Sequence, residues 1–251
     1  MNTSSNGYVM GFAIGVCVVI SAALAVTNNS LKPIQDEAAE FDRQKNVMMA
    51  AGLVVDGDTR SIDELKKLYV DRVKEVVVNT KTGEVLAGKS QKDAAQLNKE
   101  ADAAEKADKS AATRFRVAAL TTDASGKPEA VVLPISGKGL WSTIYGYLAL
   151  ESDLDHVRGV TFYKHGETPG LGGECENPVW CAQWKGKSIL DDQKKLVGIM
   201  VKKGKVDPSI PTEKAHKVDG LSGATITCTG ITNFVKADLT AFEAYLDGLR
   251  K

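Results

Sequence analysis

The spacing of apolar residues changes several times along this chain, and each change predicts a different element. Tyr8 to Val26, YVMGFAIGVCVVISAALAV, carries no charged residue. At about 1.5 Å per helical residue the run spans roughly 28 Å, close to the bilayer hydrocarbon thickness of about 30 Å. It predicts a single membrane span over residues 8–26. The rival reading is a cleaved signal peptide, because Ala23-Leu24-Ala25 resembles an A-x-A site. The absence of Lys and Arg from the first seven residues and the length of the run favour a retained anchor. Beyond Thr27-Asn28-Asn29-Ser30, the stretch Lys32 to Leu53 reads as a helix ending near Gly52. Ser61-Ile62-Asp63-Glu64 has the capping-box pattern. Ile62, Leu65, Leu68, Tyr69 and Val73 then follow at helical spacing. Residues 88–113, rich in Ala, Lys, Asp and Glu, read as a solvated helix or a mobile excursion.

From Phe115 the period shortens. Phe115–Leu120, Ala130–Ile135, Ser142–Leu150, Val157–Tyr163 and Val197–Lys203 are short runs rich in Val, Ile, Tyr and Phe, punctuated by Gly, Asp or Pro as strands require. Most are too close together for crossover helices between them, which predicts antiparallel pairing. The last run returns to helical steps, with Ile231, Phe234, Val235, Leu239, Phe242, Tyr245, Leu246 and Leu249 on one stripe. The expected fold is α+β: one N-terminal transmembrane helix, then a mainly antiparallel sheet packed with helices. Residues 32–114 form a helical, charged, membrane-proximal part and residues 115–251 the core.

Composition narrows the chemistry. With 32 basic and 32 acidic residues the formal charge is zero, which argues against nucleic acid as a partner. Four cysteines and three histidines form no CxxC pair or zinc spacing, so no metal ligands are assigned. Flanking charges around residues 8–26 are too mixed to set orientation. Cys175 and Cys181 are either a small disulfide loop or free thiols.

Three glycine-containing stretches remain. Asp219 to Gly230, DGLSGATITCTG, opens with a turn signal, and Ser222 is a candidate N-cap for the last helix. A helix head presents free N–H groups and a positive dipole end, a natural anion site. The hydroxyls of Thr225, Thr227 and Thr229 crowd that head; the alternative is an ordinary capped helix that is rich in threonine. Lys164 to Glu174, KHGETPGLGGE, follows a predicted strand. It lacks the Walker and dinucleotide patterns and reads otherwise as a long hairpin connection. Gly137 to Trp141, GKGLW, sets a tryptophan beside a glycine turn, where a core tryptophan is the commoner case.

Taken in order, GxGLW, ETPGLG and DGxSGAT resemble the covalent-FMN-binding domain of the Na+-translocating NADH:quinone reductase and Rnf complexes. The resemblance covers nearly the whole chain. DRQKNVMMAAGL at Asp42–Leu53 and the charged insertion through residue 113 are more similar to the NqrC type of the Na+-translocating complex than to the shorter Rnf G type. The resemblance implies FMN joined through its phosphate to Thr225, within Ser222-Gly223-Ala224-Thr225. It implies installation by a flavin transferase using FAD and Mg2+, with Asp219 as the acidic residue before SGAT. Glu167, Thr168, Pro169, Gly170, Leu171 and Gly172 would wall the isoalloxazine, and Trp141 would border it. It further implies an electron-relay role among other subunits of a membrane complex passing electrons from NADH to ubiquinone with Na+ export. The location implied is the bacterial inner membrane, with the soluble part periplasmic. The alternatives are an Rnf-type G subunit or another membrane-anchored flavodomain and, from another class, a membrane-tethered anion-binding or assembly module.

Overall fold

The computed structural model describes residues 6–107 and 114–250. The chain divides into two compact units, Met1–Arg43 and Gln44–Lys251. Helix α1 (Asn6–Ala50) gives its first part to one and its last turns to the other. The expected break between an apolar span and a separate helix at Lys32 is absent: α1 is continuous, with Pro33 inside it. Pro costs a helix one N–H donor but does not by itself end it. By length and composition α1 is the one helix among the described residues suited to crossing a membrane. It ends where the sequence predicts. Leu53 N–H donates to Met48 O at 2.9 Å and Gly52 N–H to Met49 O at 3.0 Å, with Gly52 at φ +70°. This is a Schellman cap, which needs the left-handed residue that glycine supplies.

Helix α2 (Ile62–Arg72) starts on the predicted capping box, with both reciprocal Ser61–Glu64 bonds formed. Val73, whose spacing predicts a last apolar position on that helix, is instead its extended C-cap and opens strand β1 (Val73–Asn79). Strand β2 (Val85–Leu86) pairs with β1. Helix α3 (Gln91–Ala107) realises most of the charged stretch 88–113; residues 108–113 lie outside the described residues. It is pinned by Asn98, whose side chain exchanges two hydrogen bonds with the Phe115 backbone.

Strands β3 (Phe115–Thr122), β4 (Pro128–Lys138), β5 (Thr143–Glu151) and β6 (Val157–Lys164) fall on four of the predicted runs. With β1 and β2 they form one six-stranded antiparallel sheet, ordered β2-β1-β3-β4-β5-β6. The fifth predicted run, Val197–Lys203, does not join it. Only β7 (Met200–Val201) is strand, and it pairs in parallel with β8 (Lys217–Val218). Gly198 and Gly204, both at positive φ, turn the chain on either side of β7, and Val201 N–H donates to the side chain of Thr232 instead of to the large sheet. Two short helices, α4 (Pro178–Ala182) and α5 (Pro211–His216), sit in the long connection before the final helix α6 (Thr225–Arg250).

Alternation along β6 shows how the sheet is covered. Val160 and Phe162 belong to the core shared with α6. Gly159 and Thr161 face the other way, Gly159 beside the carbonyl of Ala50 and Thr161 within 3.4 Å of Asn46 O. So α6 closes one face of the sheet, and the last turns of α1 lie on the other. On α6, Ile231, Val235, Leu239 and Phe242 are wholly buried, each worth about 1.5–3 kcal/mol of apolar transfer. The helix approaches β4 at two glycines: a Cβ at Gly230 would strike the carbonyl oxygen of Lys138, and one at Gly137 would strike the Phe234 side chain.

Candidate functional site

Antiparallel pairing brings the three glycine-containing stretches to one end of the sheet. β4 ends at Lys138, opposite Thr143 where β5 begins. β6 ends at Lys164, opposite Tyr145 of β5. The turn 139–142 and the loop that starts at His165 therefore emerge side by side, and the head of α6 reaches them because Gly230 rests on Lys138.

Glu167 joins all three. Its carboxylate accepts backbone N–H bonds from Leu140 at 3.1 Å, Trp141 at 2.9 Å and Ser142 at 3.1 Å. The Thr227 hydroxyl donates to the same group at 2.6 Å. Glu167 is 5% and Thr227 1% exposed. Burial pushes the Glu167 carboxyl up, but the bonds from Thr227, Trp141, Ser142 and Leu140 outweigh it and hold the group below its usual range. Two glycines make room for it. A Cβ at Gly139 would lie 2.7 Å from Glu167 Oε1, and one at Gly172 would lie 2.7 Å from Thr227 Oγ1.

The loop and the helix head are each shaped by a tight turn. Thr168-Pro169-Gly170-Leu171 closes with Leu171 N–H on Thr168 O at 3.1 Å, with Gly170 at φ +74°. Proline second and a positive-φ glycine third is the type II arrangement. Leu221-Ser222-Gly223-Ala224 closes in the same way, Ala224 N–H on Leu221 O at 3.2 Å, with Gly223 at φ +72°. The two turns touch, since Leu171 Cδ2 lies 2.8 Å from where a Cβ of Gly223 would be. The first helical bond of α6 is Cys228 N–H to Ala224 O, so Ala224, not Ser222, is the N-cap. The Gly223 turn delays the helix by two residues, and the cap has no side-chain acceptor for the free N–H groups of the first turn.

The three threonines are thereby separated. Thr225 is exposed at the first helical position, Thr227 is buried on Glu167, and the exposed Thr229 donates back to Thr225 O at 2.9 Å. On the segments joined at this helix head, Leu140 and Trp141 of the turn tied to Thr227 through Glu167, Leu171 against Gly223, and Ile226 next to Thr225 are 41%, 66%, 43% and 60% exposed. Clustered large apolar side chains left in water mark a surface that something else covers. Thr168, Pro169 and Gly170 are also exposed, while Gly172 is buried.

Glu167 and Gly172 therefore stand behind the exposed rim, the one as its joint and the other as the space for that joint. Trp141 is no core tryptophan; Trp180 and Trp184 take that role against Phe162. Asp219 is engaged as a brace: its carboxylate accepts from Val206 N–H at 2.7 Å and its carbonyl from Trp180 Nε1 at 2.7 Å. Of the lysines preceding the turn, Lys202 and Lys217 are paired with Glu213. Cys175 and Cys181 are free thiols, and burial pushes both up to about 12. Sequence reasoning placed Thr227 among the hydroxyls of the helix head but missed its role as the buried partner of Glu167, and it missed Leu140 and Ile226. The signal for Thr227 was its helical spacing, four before Ile231 and seven before Phe234, which puts it on the buried stripe.

The sheet-end site, with its small-residue helix head and exposed apolar side chains, lies within residues 139–240, which match the FMN-binding domain family. The chain belongs to the NqrC family, the C subunits of Na(+)-translocating NADH-quinone reductase. It is 38% identical to the C subunit of Pseudomonas aeruginosa, over 100% of this chain and 98% of the relative, and 36% identical to that of Yersinia pestis, over 92% and 88%. Among solved structures, NqrC of Shewanella oneidensis is 32% identical with a TM-score of 0.67, covering 85% of this chain and 99% of its own. The C subunit from Parabacteroides distasonis is 25% identical with a TM-score of 0.67, covering 86% and 96%. The protein is thus one component of an oxidoreductase complex and carries an FMN-binding domain.

Proposed function

We propose that Thr225 carries FMN through a phosphoester, and that this protein relays electrons within the NADH-quinone reductase complex towards ubiquinone, coupled to Na+ export. The observation that carries the reading is the sorting of hydroxyls at the head of α6: Thr225 is exposed, while the Thr227 hydroxyl is buried and committed to Glu167. The surroundings fit the group. Ser222 and Gly223 are small and exposed before Thr225, with Ala224 buried behind them. The free N–H groups of the first turn favour a phosphodiester's negative charge by about 0.3–1 kcal/mol. Leu171, Trp141, Leu140 and Ile226 offer apolar cover for a flat ring, and the Thr168–Leu171 turn brings backbone polar groups beside it. Bound there, FMN supplies reversible electron storage. The chain's own residues orient it, restrict its contact with water and fix its charge environment.

In this reading α1 anchors the protein in the bacterial inner membrane, the soluble part is periplasmic, and a flavin transferase loads the site after folding. The other subunits supply NADH oxidation and quinone reduction. Thr225→Ala should abolish the covalent flavin and leave the fold intact, because a first helical turn accepts alanine. In-gel fluorescence after denaturing electrophoresis and the mass of the tryptic peptide containing Thr225 read this directly. FMN mass on Thr227 overturns the assignment to Thr225; native protein with no covalent flavin leaves an anion-binding or assembly module as the better reading.

A further inference from the structure

Among the described residues, the buried carboxylate of Glu167 has no counter-ion. Four hydrogen bonds to the carboxylate outweigh its burial and hold the group below its usual range. Among the described residues no Lys, Arg or His forms an ion pair with it; His165 accepts from the Glu167 backbone N–H through Nδ1 at 3.3 Å and faces Glu176 through Nε2. Only dipoles balance it, namely three N–H groups of the 140–142 turn, the Thr227 hydroxyl and the positive end of α6. A charge so placed acts at low dielectric on whatever occupies the neighbouring surface. Two of its hydrogen-bond donors, Leu140 and Trp141, belong to that exposed surface, and the buried Thr227 lies two residues after Thr225.

We infer that Glu167 is a positioning residue whose fixed carboxylate charge lowers the reduction potential of a flavin carried at Thr225. The inference rests on the attachment proposed above. The physical reason is that reduction adds negative charge to the ring, and a fixed negative charge beside it opposes that addition. The hydroxyl of Thr227 has the complementary part. By donating to the carboxylate it draws off some of that charge, so its removal strengthens the field of Glu167.

Two substitutions then move the potential in opposite directions. Glu167→Gln removes the charge and shifts the midpoint potential upward. Thr227→Val keeps the charge, removes its shortest hydrogen bond and shifts the potential downward, and Thr227→Ser restores the native value. Loosening of the site alone would move both variants the same way, since each frees the same joint and admits water to the same rim. The full-length protein is loaded with flavin, its mass confirms one FMN on Thr225, and each variant is titrated by spectroelectrochemistry. Amide hydrogen exchange of residues 139–142 in flavin-free Thr225→Ala protein, with and without the second change, reports the joint independently of the cofactor. Shifts of opposite sign support the inference; shifts of the same sign, or an unmoved potential in Glu167→Gln, overturn it. If Glu167→Gln does not fold, Thr227→Val decides alone: a downward shift supports the inference, and an upward or absent shift overturns it. Native protein without FMN on Thr225 removes the attachment reading itself, a failure seen in the mass before any potential is measured.

Discussion

At the residue scale, the glycines of the 165–173 loop divide by what they do. Gly170 supplies a positive φ in a turn with open space around it, whereas Gly172 supplies room beside Thr227 and Glu167. Gly170→Ala meets only backbone strain, about 1 kcal/mol. Gly172→Ala drives a methyl into a buried hydrogen bond that cannot retreat, which costs about 2–3 kcal/mol by overpacking and loss of that bond. Denaturant unfolding of the two variants should rank them in that order, and the visible flavin spectrum should change in Gly172→Ala and stay native in Gly170→Ala. The sequence could not rank them, because both are glycines in one ETPGLG string. What separates them is a contact with Thr227, far along the chain, that only the fold creates.

At the scale of elements, the β7–β8 pair and α5 depend on one acid. Glu213 is buried, accepts from Lys202, from Asp207 N–H at 3.0 Å and from Lys217 at 3.1 Å, and is held from its ordinary 4.5 down to about 2. A depressed carboxyl stabilises the fold above its unfolded value and loses that contribution as pH falls through the folded one. Thermal unfolding should therefore show stability declining from about pH 5 towards pH 2, and Glu213→Gln should flatten that decline while lowering stability at neutral pH. This region is also where periodicity was least informative. The four long strands β3 to β6 and the helix α6 were legible because each presents a sustained apolar face to one core. The run 197–203 has the composition of a strand, but its flanking glycines and its bond to Thr232 take it elsewhere. β1 escaped notice for the opposite reason: Val73 continues the helical spacing of α2, and nothing in VKEVVVN marks where the helix yields to the strand. At the site the order of motifs was legible, but the joint at Glu167 was not, since its partners come from three separate segments.

At the scale of the whole molecule, the proposed periplasmic location of the soluble part rests on the family and not on charge around the apolar run. Reporter fusions after Lys251 test it. An alkaline-phosphatase fusion should be active and a reporter that requires the cytoplasm silent; the reverse pattern would require a cytoplasmic location for the soluble part. The placement of α6 has a further consequence, for the order of events during synthesis. It follows every strand of the sheet along the chain, yet it covers the inner face of β4 and supplies both Thr225 and Thr227. Until it emerges, the central strands have an uncovered apolar face and Glu167 lacks its hydroxyl donor. Chains with such late, long-range closure fold slowly and expose hydrophobic surface while they wait. A chain stalled before α6 therefore lacks the hydroxyl that would receive the cofactor, so loading at Thr225 would discriminate molecules whose sheet has been closed from those whose sheet has not.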